Sequence, residues 1–156
     1  MHTSDVSNTI KVSLLEACET YVGQRMENAL QAMASASAAA ADDTKSSAGD
    51  KFETTREMMQ QELNRHQQLL ADARRMAQVL AGLDVRAHHG PAKLGSLVET
   101  NHGLFFLAVN VGQLIIGGKT YRVISPVSPL GQRFIGSKAG DELVFNGMNY
   151  RIVNVT

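Results

Sequence analysis

Apolar positions along this chain follow two different beats. From about Ser7 to Ala41 they recur every three or four residues, through Leu15, Cys18, Val22, Met26, Ala29, Met33 and Ala36. From Phe52 to Leu83 the same beat returns, through Met59, Leu63, His66, Leu70, Ala73, Ala77 and Leu80. Residues three or four apart lie on one face of a helix, so each run predicts a helix with one narrow apolar stripe. A stripe that narrow is the seam of a coiled coil, and no proline interrupts either run. Two such stripes in one chain bury each other most simply as an antiparallel hairpin. About 30 residues per arm at about 1.5 Å rise gives an arm of roughly 45 Å. The Ala/Ser-rich stretch 34–41 offers little to pack, and 42–49 is polar and turn-like, so a mobile tip is expected there.

After Asp84 the period changes. Ala87-His88-His89-Gly90-Pro91 reads as a linker, and short runs rich in β-branched and aromatic residues follow. The predicted strands are 96–99, 104–111, 113–116, 120–124, 142–145 and 150–155. Gly117-Gly118 and Asn146-Gly147 suit two-residue hairpin turns. Ser128 followed by Pro129 is a helix-start signal, and Gly136 suits the end of that helix. The expected class is α+β: a helical hairpin over 1–84 with its tip near 42–53, a linker over 85–94, and an antiparallel sheet domain with one short helix over 95–156.

Composition changes this picture in one respect. Net charge is zero over 156 residues, which gives no general polyanion-binding signature. The charge is unevenly spread, however. Residues 1–83 carry 8 Lys and Arg against 11 Asp and Glu, and residues 84–156 carry 7 against 4. An acidic front and a basic back suggest two parts with different jobs. Cys18 is the single cysteine, so no disulfide within the chain is expected. With no signal-peptide pattern and no long apolar run, a cytoplasmic location is expected.

The chemistry-bearing residues sit at the hairpin tip. Gly49-Asp50-Lys51-Phe52-Glu53 puts two carboxylates where a helix pair has least core to build. Asp50 and Glu53, three apart at a helix start, can face one way. The same pattern also serves as a capping box, in which both side chains satisfy free amides of the first turn. Asp42-Asp43 reads as a solvated turn. His66 falls on the seam as a partly buried histidine. His88-His89 lacks a third ligand at metal spacing. Cys18 is a small core residue. Arg56, Arg65, Arg74 and Arg75 read as partners of acidic neighbours along the helix.

The back half resembles a known family. Ile124-Ser125-Pro126-Val127-Ser128-Pro129-Leu130-Gly131-Gln132, then Phe134-Ile135-Gly136-Ser137-Lys138-Ala139-Gly140-Asp141-Glu142, is similar to the signature of the bacterial transcript-cleavage factors GreA and GreB. The likeness extends to the order of parts and to the tip, where Gly49-Asp50 followed by Glu53 matches the family's Gly-Asp-x-x-Glu. The resemblance implies an FKBP-like sheet domain that docks on RNA polymerase near its secondary channel through Ser128, Pro129, Leu130 and Gly131. It implies a hairpin that reaches down the channel, where Asp50 and Glu53 assist cleavage of backtracked RNA with the polymerase's own Mg²⁺. The chain would then be an accessory factor rather than an enzyme, with no cofactor of its own and with a monomer favoured. The sequence departs from the family after the second carboxylate, where Thr54-Thr55-Arg56-Glu57 replaces an Asn-Ala-Glu-Tyr-like stretch. That departure keeps a second reading open, a channel-occupying regulator that does not cleave. A third is an FKBP-like prolyl isomerase with a coiled-coil arm, which requires an aromatic-lined pocket.

Overall fold

The computed structural model describes residues 3–45 and 49–156, with side chains for 6–39 and 54–156. It opens with two long helices, α1 (Thr3–Lys45) and α2 (Gly49–Ala81). A six-stranded sheet follows, built from β1 (Leu97–Thr100), β2 (Gly103–Leu107), β3 (Gly112–Ile116), β4 (Lys119–Ile124), β5 (Glu142–Phe145) and β6 (Met148–Val155), with a short helix α3 (Pro129–Phe134) between β4 and β5. This is the predicted order of a helical hairpin and then a sheet with one short helix. The turn predicted over 42–49 is shorter than expected, because α1 runs on through Asp42 and Asp43 to Lys45. The mobile tip expected there falls largely outside the described residues.

The chain forms two compact units. One is Tyr21–Ala77; the other combines Met1–Thr20 with Gln78–Thr156.

Within the first unit the two helices bury a thin seam. Val22, Ala29, Leu70 and Ala73 are buried, while Met26, Met33, Met59 and Leu63 are half-buried. Solvent-facing positions are tied by pairs along single helices: Gln24 to Asn28, Gln60 to Asn64, Arg65 to Glu62 at 2.9 Å, and Arg75 to Asp72. Exposed pairs of this kind contribute little, because solvent screens them. The seam at the start of α1 runs through Leu14 and Cys18, with Leu15 half-buried beside them. Three- and four-residue steps fit either leucine, and packing selects Leu14.

The second unit is thicker. Its sheet has the strand order β3-β4-β2-β1-β6-β5. Four neighbouring pairs are antiparallel, but β2 pairs with β4 in parallel, so the sheet is mixed rather than wholly antiparallel. The run 104–111, apolar but for Asn110, is not one strand. The strand stops at Leu107, and Ala108–Val111 carries the chain across the strand position next to β2. That places β3 at the edge, and the Gly117-Gly118 hairpin returns β4 into the gap. Both glycines have positive φ, 59° and 79°, as does the pair Asn146 (50°) and Gly147 (77°) that joins β5 to β6. Those are the twists that a two-residue hairpin demands.

One face of the sheet holds the main core: Val98, Phe105, Leu107, Leu143, Tyr150 and Ile152, closed by Phe134 of α3. Phe105, Phe134 and Tyr150 pack on one another with ring centroids 4.9–6.0 Å apart. The other face is buried as well. Leu97, Phe106, Tyr121 and Val123 point there by register and are all buried. The first turns of α1 border this face: Ser7 and Ile10 line a cavity of about 350 Å³ together with Leu97, Leu104 and Tyr121. Burial raises the pKa of the Tyr121 phenol.

Candidate functional site

Two sets of residues were singled out by sequence, and they fall in different units. Ser128, Pro129, Leu130 and Gly131 come together at the start of α3. Asp50 and Glu53 fall in the first turns of α2, three residues apart on one helix. Their side chains lie outside the described residues, as do those of Asp42 and Asp43.

The α3 segment is built tightly from short-range bonds. Ser128 is the N-cap: its hydroxyl accepts from the Gly131 amide at 3.2 Å and donates to the Ser125 carbonyl at 2.6 Å. Pro129 occupies the first turn, where its missing N–H costs nothing. Ser125 Oγ accepts from the Val127 amide, Asn110 Oδ1 accepts from the Ser125 amide, and Gln132 Nε2 donates to the Val127 carbonyl at 2.9 Å. The loop is therefore held at both ends and in its middle. Leu130 packs against the core and Phe134 is fully buried. Val127 is 78% exposed beside them.

Gly131 is required by close approach rather than by backbone conformation. A Cβ there would overlap the Ser125 carbonyl and crowd Ser128 Oγ. Only glycine lets the helix start sit on its own preceding turn. Beyond α3, Gly136 takes φ 83° and its amide donates to the Ala92 carbonyl at 2.8 Å. Lys138 and Asp141 then close a turn: the Lys138 amide donates to Asp141 Oδ2 at 2.9 Å, and the Asp141 amide to the Lys138 carbonyl at 3.0 Å. The Ser-Pro-Leu-Gly and Lys-Ala-Gly-Asp segments are thus two locally hydrogen-bonded turns on either side of Phe134.

The remaining candidates resolve into ordinary roles. Cys18 is buried, and burial pushes its thiol up to about 11, away from nucleophile chemistry. His66 has its Nε2 3.4 Å from Glu62 Oε2, and its buried Nδ1 has no hydrogen-bond partner. His88 sits 3.2 Å from Ser96 Oγ, with its pKa lowered mainly by burial. No group of three His, Cys, Asp or Glu side chains able to hold a metal occurs among the described residues. Nor, among them, is any helix long and apolar enough to cross a membrane.

Known proteins offer little beside this geometry. No protein-family model matches the chain, and no curated protein matches it. Among solved structures, the chain is similar to one described as "Structure of the transcription factor Gfh1". It is 18% identical, with 88% of this chain and 92% of that chain covered and a TM-score of 0.34. So distant a likeness leaves the functional reading to the residues themselves.

The residues that sequence reasoning missed lie around Lys11. This lysine is fully buried, and its Nζ donates to the carbonyls of Arg86 and Thr156, each at 3.1 Å. Desolvation holds its pKa down to about 8, against the raising effect of the Asp84 charge. A signal was present: Ser7, Lys11, Leu14 and Cys18 continue the three-and-four spacing of the seam. A lysine at such a position marks a buried cation with acceptors waiting for it.

Proposed function

We propose that this chain is a Gre-like elongation factor that binds RNA polymerase, and that its helical hairpin delivers Asp50 and Glu53 to the polymerase active centre. One observation carries the reading. The Gly-Asp-x-x-Glu tip opens a helix of 33 residues, roughly 50 Å at about 1.5 Å rise. In the same chain, the Ser-Pro-Leu-Gly motif forms a capped, rigid corner beside an exposed valine. A long arm with charge at its end suits delivery to a recessed site, and a rigid corner suits docking.

On this reading the polymerase supplies the active site and the Mg²⁺. Phosphodiester hydrolysis at a two-metal centre needs a second ion held in place and a water activated for attack. Mg²⁺ accepts one or two carboxylates alongside phosphate oxygens and water. One of Asp50 and Glu53 would complete that shell, and the other would orient or deprotonate the water. Such a factor works in the cytoplasm, as a monomer, with no cofactor of its own. The test is cleavage of backtracked RNA by polymerase, with wild type or with the double variant Asp50→Ala/Glu53→Ala. Wild type is expected to speed cleavage and the variant to bind without speeding it. Equal cleavage by both would sink the proposal.

A second reading is favoured by Thr54-Thr55-Arg56-Glu57, which stands where the family has its Asn-Ala-Glu-Tyr-like stretch. It keeps the partner but makes the chain a channel occupant that slows transcription without trimming RNA. The same assay separates the two. The prolyl isomerase reading loses support from the packing, since Phe105, Phe134 and Tyr150 are buried against each other rather than lining a pocket.

A further inference from the structure

The stretch between α2 and β1 has the composition of a flexible tether, yet it is bonded along much of its length. Asp84 Oδ1 accepts from the Arg86 amide, and both Asp84 carboxylate oxygens receive the Arg86 guanidinium. The Ala87 amide donates to Asn8 Oδ1 of α1. His88 meets Ser96 Oγ, which also accepts from the Lys93 amide at 2.9 Å. The Ala92 amide donates to Ser137 O and the Gly95 amide to Leu107 O. Gly95, at φ 91°, packs so closely under the Asp84 carbonyl that a Cβ would overlap it. Lys11 sits at the centre, with one ammonium joining α1, the connection at Arg86, and the last residue of the sheet segment at Thr156. Thr156 in turn exchanges both backbone bonds with Leu97 at the start of β1.

We propose that Lys11 and Asn8 are the two fastenings of a conformational latch, and that residues 84–96 form a strap which opens and closes as one unit rather than a tether. The argument is one of local accounting. A buried lysine is costly to desolvate, so its ammonium must be met by acceptors, here the carbonyls of Arg86 and Thr156. The Thr156 carbonyl also accepts from the Leu97 amide, so there Lys11 adds to a bond already made. One ammonium joins two segments distant in sequence, so losing it loosens both together. The sheet beneath has its own ladder and aromatic core, which do not depend on Lys11. The strap therefore has a lower opening free energy than the sheet it lies on, as expected of a separate cooperative unit. This inference does not rest on the polymerase reading and holds whatever the partner.

Amide hydrogen exchange on the full chain tests it. Lys11→Met keeps the apolar stem and removes the donor. Exchange at Ala87, Gly95, Ser96, Leu97 and Thr156 is expected to rise together by about tenfold, while Phe105, Val123 and Ile152 stay within about twofold of wild type. Asn8→Ala is expected to act in the same direction on the same group, more weakly. A rise shared equally by the sheet amides would overturn the latch and make Lys11 a general stabiliser. No rise at any of these amides would overturn it too, as would a response of Ala87 alone to either variant.

Discussion

The sheet unit and the hairpin unit use apolar residues in opposite ways. The sheet buries large residues on both faces at its centre, with three aromatic rings in mutual contact and a helix closed over them. The hairpin unit buries a single file of mostly small residues, such as Val22, Ala29 and Ala73. A fully buried large side chain contributes roughly 1.5–3 kcal/mol, and a buried alanine much less. Stability is therefore concentrated in the sheet. The lesson concerns where sequence can vary: a single-file seam constrains one position in three or four, whereas the central strands β1 and β2, buried at most of their positions, constrain more.

Four substitutions sharpen or break that contrast. Phe134→Ala removes the ring that closes the core and should cost the sheet unit about 3–5 kcal/mol, measured by urea unfolding followed through near-UV circular dichroism. A change no larger than that of Met33→Ala in the seam would erase the distinction. Gly131→Ala forces a methyl against the Ser125 carbonyl and should cost about 1–3 kcal/mol in the same experiment. A neutral result would show that the corner yields. His66→Leu has the opposite sign. It replaces a seam residue whose Nδ1 has no partner, so helix content should persist to higher temperature, by about 1 kcal/mol of stability. A lower melting temperature would mean that the histidine fixes the hairpin's register.

A further effect is a pH dependence. The folded-state pKa of Lys11 is lowered to about 8 from 10.5. Between those values the unfolded chain binds the extra proton, so stability should rise as pH rises through that window. Lys11→Met should flatten the rise, and an unchanged slope would assign it to another group.

Much of the molecule was legible in the amino-acid order. The two seams, the six strands, both glycine-assisted hairpins and the Ser128 cap follow from local periodicity and turn chemistry, because each depends on neighbours within a few residues. The tip carboxylates are likewise placed at a helix start by sequence spacing alone. Three features were settled only by the folded chain. The parallel pairing of β2 with β4 depends on where the run 104–111 leaves the sheet, and residues apolar from Leu104 through Val109 do not mark that point. The choice of Leu14 over Leu15 depends on what the helix packs against. The seam spacing places Lys11 on the buried face, but not the acceptors that hold it there. They lie 75 and 145 residues away, beyond the reach of any periodicity, and only tertiary folding brings those carbonyls to the ammonium.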